Sequence, residues 1–275
     1  MKKTIKTSAK INLSLLIYSP RNDGLHPICS VFQKISLFDT LNIETTKKKT
    51  LVLTCNNQTI ETEDNIITKI YNKFKNKLPF GLKVNLSKNI PIGAGLGGGS
   101  SNAAGFLQFL NKAAKLNFSE KKLVKVASFF GADVPFFLNS QTAIVRGIGN
   151  KITQIESGPY RYFVLIYPNI AISTKDIYNT FDKKNTAKKI PGRTPKNISK
   201  YHLGQNDLKD IAFGLYPKLQ TIEQKLIELN APPLHMSGSG STLFIPFKKR
   251  KDALAWEEKI KKIYPKYLIS FVKSV

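Results

Sequence analysis

Between Pro91 and Asn102 the chain reads Pro-Ile-Gly-Ala-Gly-Leu-Gly-Gly-Gly-Ser-Ser-Asn, and five of the seven positions from 93 to 99 are glycine. Ordering glycine costs chain entropy, so this density is expected only where the backbone adopts positive φ or approaches a ligand closely. Just upstream, Leu82, Val84 and Leu86 alternate with Lys83 and Asn85 and predict a half-buried strand. Downstream, a helix is predicted from about Ser101 to Ala114. A glycine loop between strand and helix offers successive N–H groups beside a helix N-terminus, which suits a di- or triphosphate. The candidate phosphate-binding residues are therefore Pro91, Ile92, Gly93, Ala94, Gly95, Leu96, Gly97, Gly98, Gly99, Ser100 and Ser101. Of the two hydroxyls, one can cap the helix and the other can touch phosphate or a metal-bound water. A plain turn needs one or two glycines, not five.

Two familiar phosphate loops do not fit. Gly93, Gly95 and Gly98 satisfy G-x-G-x-x-G, but dinucleotide binding also needs a second parallel strand carrying an acid for the ribose. Here a second helix is predicted after Ser119, ending at Gly131, and the nearby acid, Glu120, starts it. A Walker A loop requires lysine after the glycines, and none follows.

The chain before the loop reads as a sheet, with short strands expected at Thr4 to Thr7, Ile11 to Tyr18, Ser30 to Ile35, Thr40 to Glu44 and Leu51 to Leu53. Asp64-Asn65 then precedes Ile66, Ile67, Ile70, Tyr71, Phe74 and Leu78, whose spacing marks an amphipathic helix stopped by Pro79 and Gly81. From about Tyr160 a second unit is expected. It holds strands at Tyr162 to Tyr167, Thr242 to Phe247 and Tyr267 to Val272, with helices at Thr174 to Phe181, Leu219 to Leu229 and Ala253 to Ile263. The breaker-rich basic segment Lys183 to Lys196 reads as an exposed loop. The order is that of an α+β sandwich.

With 275 residues, the chain has room for one large domain or two ordinary ones. Its 41% hydrophobic content excludes disorder as the general state. No apolar run approaches the roughly 20 residues of a membrane helix. Lys2, Lys3 and Lys6 are not followed by the uninterrupted apolar stretch of a secretory signal. Cys29 and Cys55 form neither a disulfide framework nor a ligand cluster, which fits a reducing compartment. The formal net charge of +25 invites a nucleic-acid reading. However, the lysines are scattered in short clusters without an aromatic-interleaved binding motif, so a polyanionic small substrate fits equally well.

Three segments together resemble the GHMP kinase superfamily: Ser8-Ala9-Lys10-Ile11-Asn12-Leu13, the loop from Pro91 to Asn102, and Met236-Ser237-Gly238-Ser239-Gly240-Ser241-Thr242. Asp23-Gly24-Leu25-His26, Asp39-Thr40, Glu63-Asp64-Asn65 and Gly131-Ala132-Asp133-Val134-Pro135-Phe136-Phe137 extend the similarity. They point to the branch that acts on the 2-hydroxyl of 4-diphosphocytidyl-2-C-methyl-D-erythritol in the non-mevalonate isoprenoid pathway. The resemblance implies a two-domain α+β fold, with an N-terminal ribosomal-protein-S5-like α/β domain over 1–157 and a C-terminal ferredoxin-like α/β sandwich over 158–275. The active site is expected in the cleft between them.

The same resemblance implies roles for single residues. Asp133, beside Pro135 and two phenylalanines, matches the family's catalytic base and could take the acceptor's proton. Lys10 matches the second catalytic position; on an apolar strand a lysine needs an anionic partner. Asn12, His26, Thr174 and Tyr178 match substrate-side positions, with His26 towards the cytosine edge and Tyr178 as a stacking ring. Leu25 stands where the family usually has the other stacking aromatic. Asn65 and Lys88 fall on the nucleotide side. ATP and Mg2+ are the expected cofactors, with no dedicated metal ligands. A small-molecule partner, no membrane, no nucleic acid, a cytoplasmic location and a monomer or homodimer complete the expectation. The alternatives are another GHMP kinase acting on homoserine, mevalonate or a sugar, and a catalytically silent, basic nucleic-acid-binding relative.

Overall fold

The computed structural model describes residues 1–57, 62–184 and 203–275. It divides into two compact units interleaved in sequence: residues 1–9, 37–90 and 97–140 form the first, and 10–36, 91–96 and 141–275 the second. This differs from a single cut after 157. The first four expected strands are two long ones, β1 (Lys2–Ile17) and β2 (Ile28–Thr46), and each contributes residues to both units. Ser8 and Lys10 look like a break in the sequence, yet an extended backbone tolerates polar side chains wherever the pleat gives them partners.

In the first unit, β3 (Leu51–Cys55) runs parallel to β4 (Gly81–Ser87), which pairs antiparallel with residues 40–46 of β2. Leu41, Ile43, Leu82, Val84 and Leu86 are at most 2% exposed and make the sheet side of the core. The helix side comes from α1 (Ile66–Phe74), α2 (Gly98–Ala113), α3 (Glu120–Phe130) and α4 (Val134–Asn139). Asn65 starts α1 by accepting the Ile67 N–H, and Ser119 starts α3 by accepting that of Lys122. Helix α2 lies close to β1 because Gly105 has no side chain; a Cβ there would come within 2.7 Å of Thr7 Cγ2.

The second unit contains the antiparallel sheet β10-β7-β9-β8, made of Leu268–Lys273, Tyr162–Tyr167, Leu243–Phe247 and His235–Met236 respectively. A hairpin of β5 (Thr142–Gly147) and β6 (Lys151–Gln154) pairs with residues 28–33 of β2. Helices α5 (Thr174–Lys184), α6 (Lys209–Leu215), α7 (Pro217–Glu228) and α8 (Arg250–Ile263) complete it. Its core combines Val164, Ile166, Leu243 and Ile245 of the sheet with Ile177, Phe181, Ile222 and Ile260 of the helices. The expected loop Lys183 to Lys196 opens with the last two residues of α5; the rest lies outside the described residues.

Candidate active site

Helix α2 begins three residues earlier than the sequence suggests. Its N-cap is Gly97 in the left-handed region (φ 68°), and no side chain caps it. Ser101 N–H donates to Gly97 O at 2.9 Å, so the N–H groups of Gly98, Gly99 and Ser100 precede the first bond of the helix ladder. Gly98 and Gly99 are helical despite the poor helix propensity of glycine. A Cβ on Gly99 would meet nothing within 4 Å, whereas one on Gly98 would press against Ile90 and Lys88 Nζ at 2.9 Å. Neither serine caps. Ser101 is only 3% exposed, while Ser100 is half-buried with its Oγ 3.9 Å from where a Gly131 Cβ would stand. The Gly131–Asp133 turn therefore lies beside Ser100, and Asp133 occupies the N-cap position of α4, half-buried, without a side-chain capping bond.

Lys88, expected on the nucleotide side, is ion-paired within the protein. Its ammonium is 2.5 Å from Asp39 Oδ2 and 3.5 Å from Asn102 Oδ1, and its side chain is 6% exposed. Asp39, fully buried, also accepts the N–H groups of Asn89 and Ile90 at 2.8 Å and the Asn102 amide at 3.0 Å. Lys88 thus braces the start of the glycine loop with its charge already compensated. Asn65 spends its carboxamide oxygen on capping α1. A cavity of about 440 Å³ lined by Asp64, Ile66, Lys69, Lys73, Phe129 and Phe130 contains none of the expected site residues.

In the second unit, Lys10 is 4% exposed. Its Nζ donates to Asn12 Oδ1 at 2.6 Å and to Gly95 O at 3.1 Å, and sits 4.8 Å from the centre of the Phe32 ring. The Asn12 amide in turn donates to Ser30 Oγ at 2.9 Å. Residues 91–96 are held by their backbone: Lys10 N–H donates to Leu96 O, Ile172 N–H to Gly93 O and Thr242 N–H to Ala94 O. Lys10 and Asn12 of β1 and Gly95, 85 residues after Lys10, are thereby one cluster.

A second cluster surrounds His26, whose side chain is 4% exposed. Nδ1 lies 2.7 Å from Tyr18 O; a carbonyl can only accept, so Nδ1 carries a proton. Nε2 is 2.7 Å from Asp182 Oδ1 but lacks the alignment of a hydrogen bond. The ring is 5.6 Å from that of Tyr178 and 5.8 Å, edge-on, from that of Phe181. Leu25, 50% exposed, sits on a turn whose ends are tied by Arg21 N–H to Leu25 O. Thr174 Oγ1 is 2.9 Å from Ser239 Oγ in the third motif. Asp39 and Asn102 lay within motif segments visible in the sequence, but only their contacts reveal the bracing. Asp182 gave no sequence signal.

The GHMP kinases N terminal domain matches residues 65–141 and the GHMP kinases C terminal matches residues 195–266. A 4-diphosphocytidyl-2-C-methyl-D-erythritol kinase of Caldanaerobacter subterraneus subsp. tengcongensis is 35% identical over 98% of this chain and 96% of its own. That of Syntrophus aciditrophicus is 37% identical over 90% of this chain and 91% of its own. Among solved structures, a 4-(cytidine 5'-diphospho)-2C-methyl-D-erythritol kinase superposes with a TM-score of 0.78 at 26% identity, covering 99% of this chain and 100% of that one. A homoserine kinase from Cytophaga hutchinsonii, at 15% identity and a TM-score of 0.72 over 100% of this chain and 95% of its own, shares the fold. With glycine loop, buried lysine and full-length similarity in agreement, the chain belongs to the GHMP kinases and, within them, to the 4-diphosphocytidyl-2-C-methyl-D-erythritol kinase family.

Proposed function

We propose that the protein transfers the γ-phosphoryl group of ATP to the 2-hydroxyl of 4-diphosphocytidyl-2-C-methyl-D-erythritol, a step of the non-mevalonate isoprenoid pathway. The observation that carries this reading is the buried Lys10 ammonium, fixed by Asn12 and by the Gly95 carbonyl of the glycine loop. A cation held that rigidly at the phosphate loop supplies preorganised charge for a transferring phosphoryl group, and such transfer depends mostly on positioning and electrostatics.

The α2 N-terminus fits phosphate oxygens. Three N–H groups lie ahead of the helix ladder, and the Gly99 side is open. Mg2+ brought in with the nucleotide would supply positive charge against the negative charge that develops during transfer. Ser100, the less buried of the two serines, would hold it through a water. Asp133 takes the proton of the acceptor hydroxyl. Tyr178, Leu25 and His26 bound the cytosine, Asn12 and Thr174 bind the remainder of the acceptor, and Asn65 lies on the adenine side. A family boundary near 157 is supported by domain matches that fall on either side of it. No helix among the described residues is long and apolar enough to cross a membrane. We assign the protein to the cytoplasm, as a monomer or homodimer.

ATP consumption measured with 4-diphosphocytidyl-2-C-methyl-D-erythritol, homoserine, mevalonate and a sugar as separate acceptors tests this. Turnover on the cytidylyl compound alone is expected. Turnover on another acceptor in its place, or strongly salt-dependent nucleic-acid binding without any turnover, overturns it.

A further inference from the structure

The third motif, Met236 to Thr242, contributes no residue to the chemistry described so far. Ser237 is fully buried within it, and its hydroxyl is used from both sides. Ser237 Oγ donates to Gly95 O at 2.9 Å and accepts the Asn12 N–H at 3.2 Å, with Asn12 Oδ1 a further 3.5 Å contact. Gly95 O and Asn12 Oδ1 are also the two acceptors of the Lys10 ammonium. One hydroxyl therefore touches both groups that orient the lysine.

The backbone around Ser237 is fixed from several directions. Ser237 N–H donates to Thr242 O and Gly240 N–H to Ser237 O, both at 3.0 Å, closing the motif on itself. The Asn206 amide donates to Met236 O at 2.9 Å and to Gly238 O at 2.8 Å, on either side of Ser237. Gly95 has φ +73°, and a Cβ on it would be 2.2 Å from Ser237 O, so the loop meets the motif backbone to backbone. The joint leaves little freedom, and among the described residues the hydroxyl is its one side-chain link to the Lys10 acceptors.

We infer that Ser237 is a positioning residue for phosphoryl transfer: its hydroxyl locks Gly95 O and Asn12 where together they aim the Lys10 ammonium. Without the hydroxyl, Gly95 O keeps, among the described residues, only the lysine as a side-chain donor, and Asn12 N–H loses the Ser237 acceptor. Both acceptors can then shift, and a small displacement of a catalytic charge can cost up to about 10²-fold in rate. Ser237 does not touch the reacting atoms in this scheme. It acts through Lys10, and the inference rests on the reading that Lys10 is catalytic.

The test is a double-mutant cycle of Ser237→Ala and Lys10→Ala in the full chain, reading kcat, the KM of each substrate and the thermal midpoint. Ser237→Ala is expected to lower kcat by about 10- to 100-fold with both KM values within about threefold. Ser237→Cys, which retains a weak donor, should recover part of that loss. Against a Lys10→Ala background, Ser237→Ala should cost almost nothing more, because the group it orients is gone. If Lys10→Ala is itself near normal in kcat, the reading of Lys10 fails and the inference falls with it. If Lys10→Ala is severe but the two losses multiply, or if Ser237→Ala is silent, Lys10 stands and the positioning role is overturned. A fall in thermal midpoint with kcat unchanged on the folded fraction also overturns it, since a purely structural serine behaves that way.

Discussion

Asp39 Oδ2 and Lys88 Nζ lie 2.5 Å apart, and neither side chain is more than 6% exposed. Asp39 additionally anchors two consecutive backbone N–H groups, Asn89 and Ile90, at the entrance to the glycine loop. Removing one member leaves an uncompensated buried charge, which typically costs about 3–5 kcal/mol. Asp39→Ala should thus be the most destabilising substitution around the loop, worse than Lys88→Met, because it also orphans two N–H groups. Urea unfolding of both variants and of the double variant checks this, with the double expected to be less destabilised than the sum of the singles.

Gly99 and Gly98 separate binding from folding. A side chain on Gly99 projects into open space, so Gly99→Val should preserve the unfolding free energy to within the roughly 1 kcal/mol propensity range while excluding phosphate from the α2 N–H groups. Gly98→Val meets Ile90 and Lys88 and should lose both stability and binding. Calorimetry with a non-hydrolysable ATP analogue, alongside melting curves, distinguishes the two. Unchanged affinity in Gly99→Val would remove the helix N-terminus as the phosphate site.

Asp133→Asn keeps the shape of the α4 N-cap but cannot take a proton. It should lower kcat by about 10²-fold or more, with ATP affinity little changed. Single-turnover transfer measures this directly, and near-normal transfer eliminates Asp133 as the base.

The long-period features of the fold were legible in the sequence, and the contacts were not. Tyr162 to Tyr167 is a strand with those same limits, and Asn65 and Ser119 cap the helices they precede, since apolar spacing and capping chemistry are local. The α2 start at Gly98 was hidden because glycine argues against helix wherever helix propensity is weighed alone. Helices α4 and α6, with 6 and 7 residues, are too short to show a period. The sequence puts Lys88 just upstream of the glycine loop, on the nucleotide side, and shows no partner for its charge. Its partner Asp39 is 49 residues away, and register between strands is not written in either segment alone. The same holds for Ser237 and Asn12, 225 residues apart.

His235 gives the second unit an acid limit. Burial, and secondarily the positive charge of Lys209, push its imidazole down from 6.5 to about 4. The unfolded chain therefore binds a proton that the folded one refuses between those values. Stability is fully present above about pH 6.5 and is lost progressively as the pH falls towards about 4, by about 3 kcal/mol at the acid end. His235→Gln, which cannot charge, should flatten that limb in denaturant titrations across the window. An unchanged acid limb would place the lost stability on other groups.

Because Leu25 offers burial but no π face, the cytosine of the acceptor should lean mainly on Tyr178. That ring is half-buried against the second core, 5.6 Å from the His26 ring and tilted 44° to it, while Leu25 sits half-exposed on its turn. Stacking of a base on an aromatic side chain is worth about 1–3 kcal/mol by alanine substitution. Tyr178→Ala should accordingly raise KM for the cytidylyl substrate by about 5- to 100-fold and leave KM for ATP unchanged. Leu25→Ala should cost less, and Leu25→Tyr should lower KM by restoring a second ring. The His26 Nδ1–H is committed to Tyr18 O, so what remains of this imidazole for the base is Nε2, the atom that faces Asp182 without a formed bond. His26→Phe should then also raise the cytidylyl KM, since it keeps a ring but removes that atom. KM for all four variants at saturating ATP decides the matter: a silent Tyr178→Ala beside a severe Leu25→Ala would move the pyrimidine off the α5 ring and onto the turn before His26.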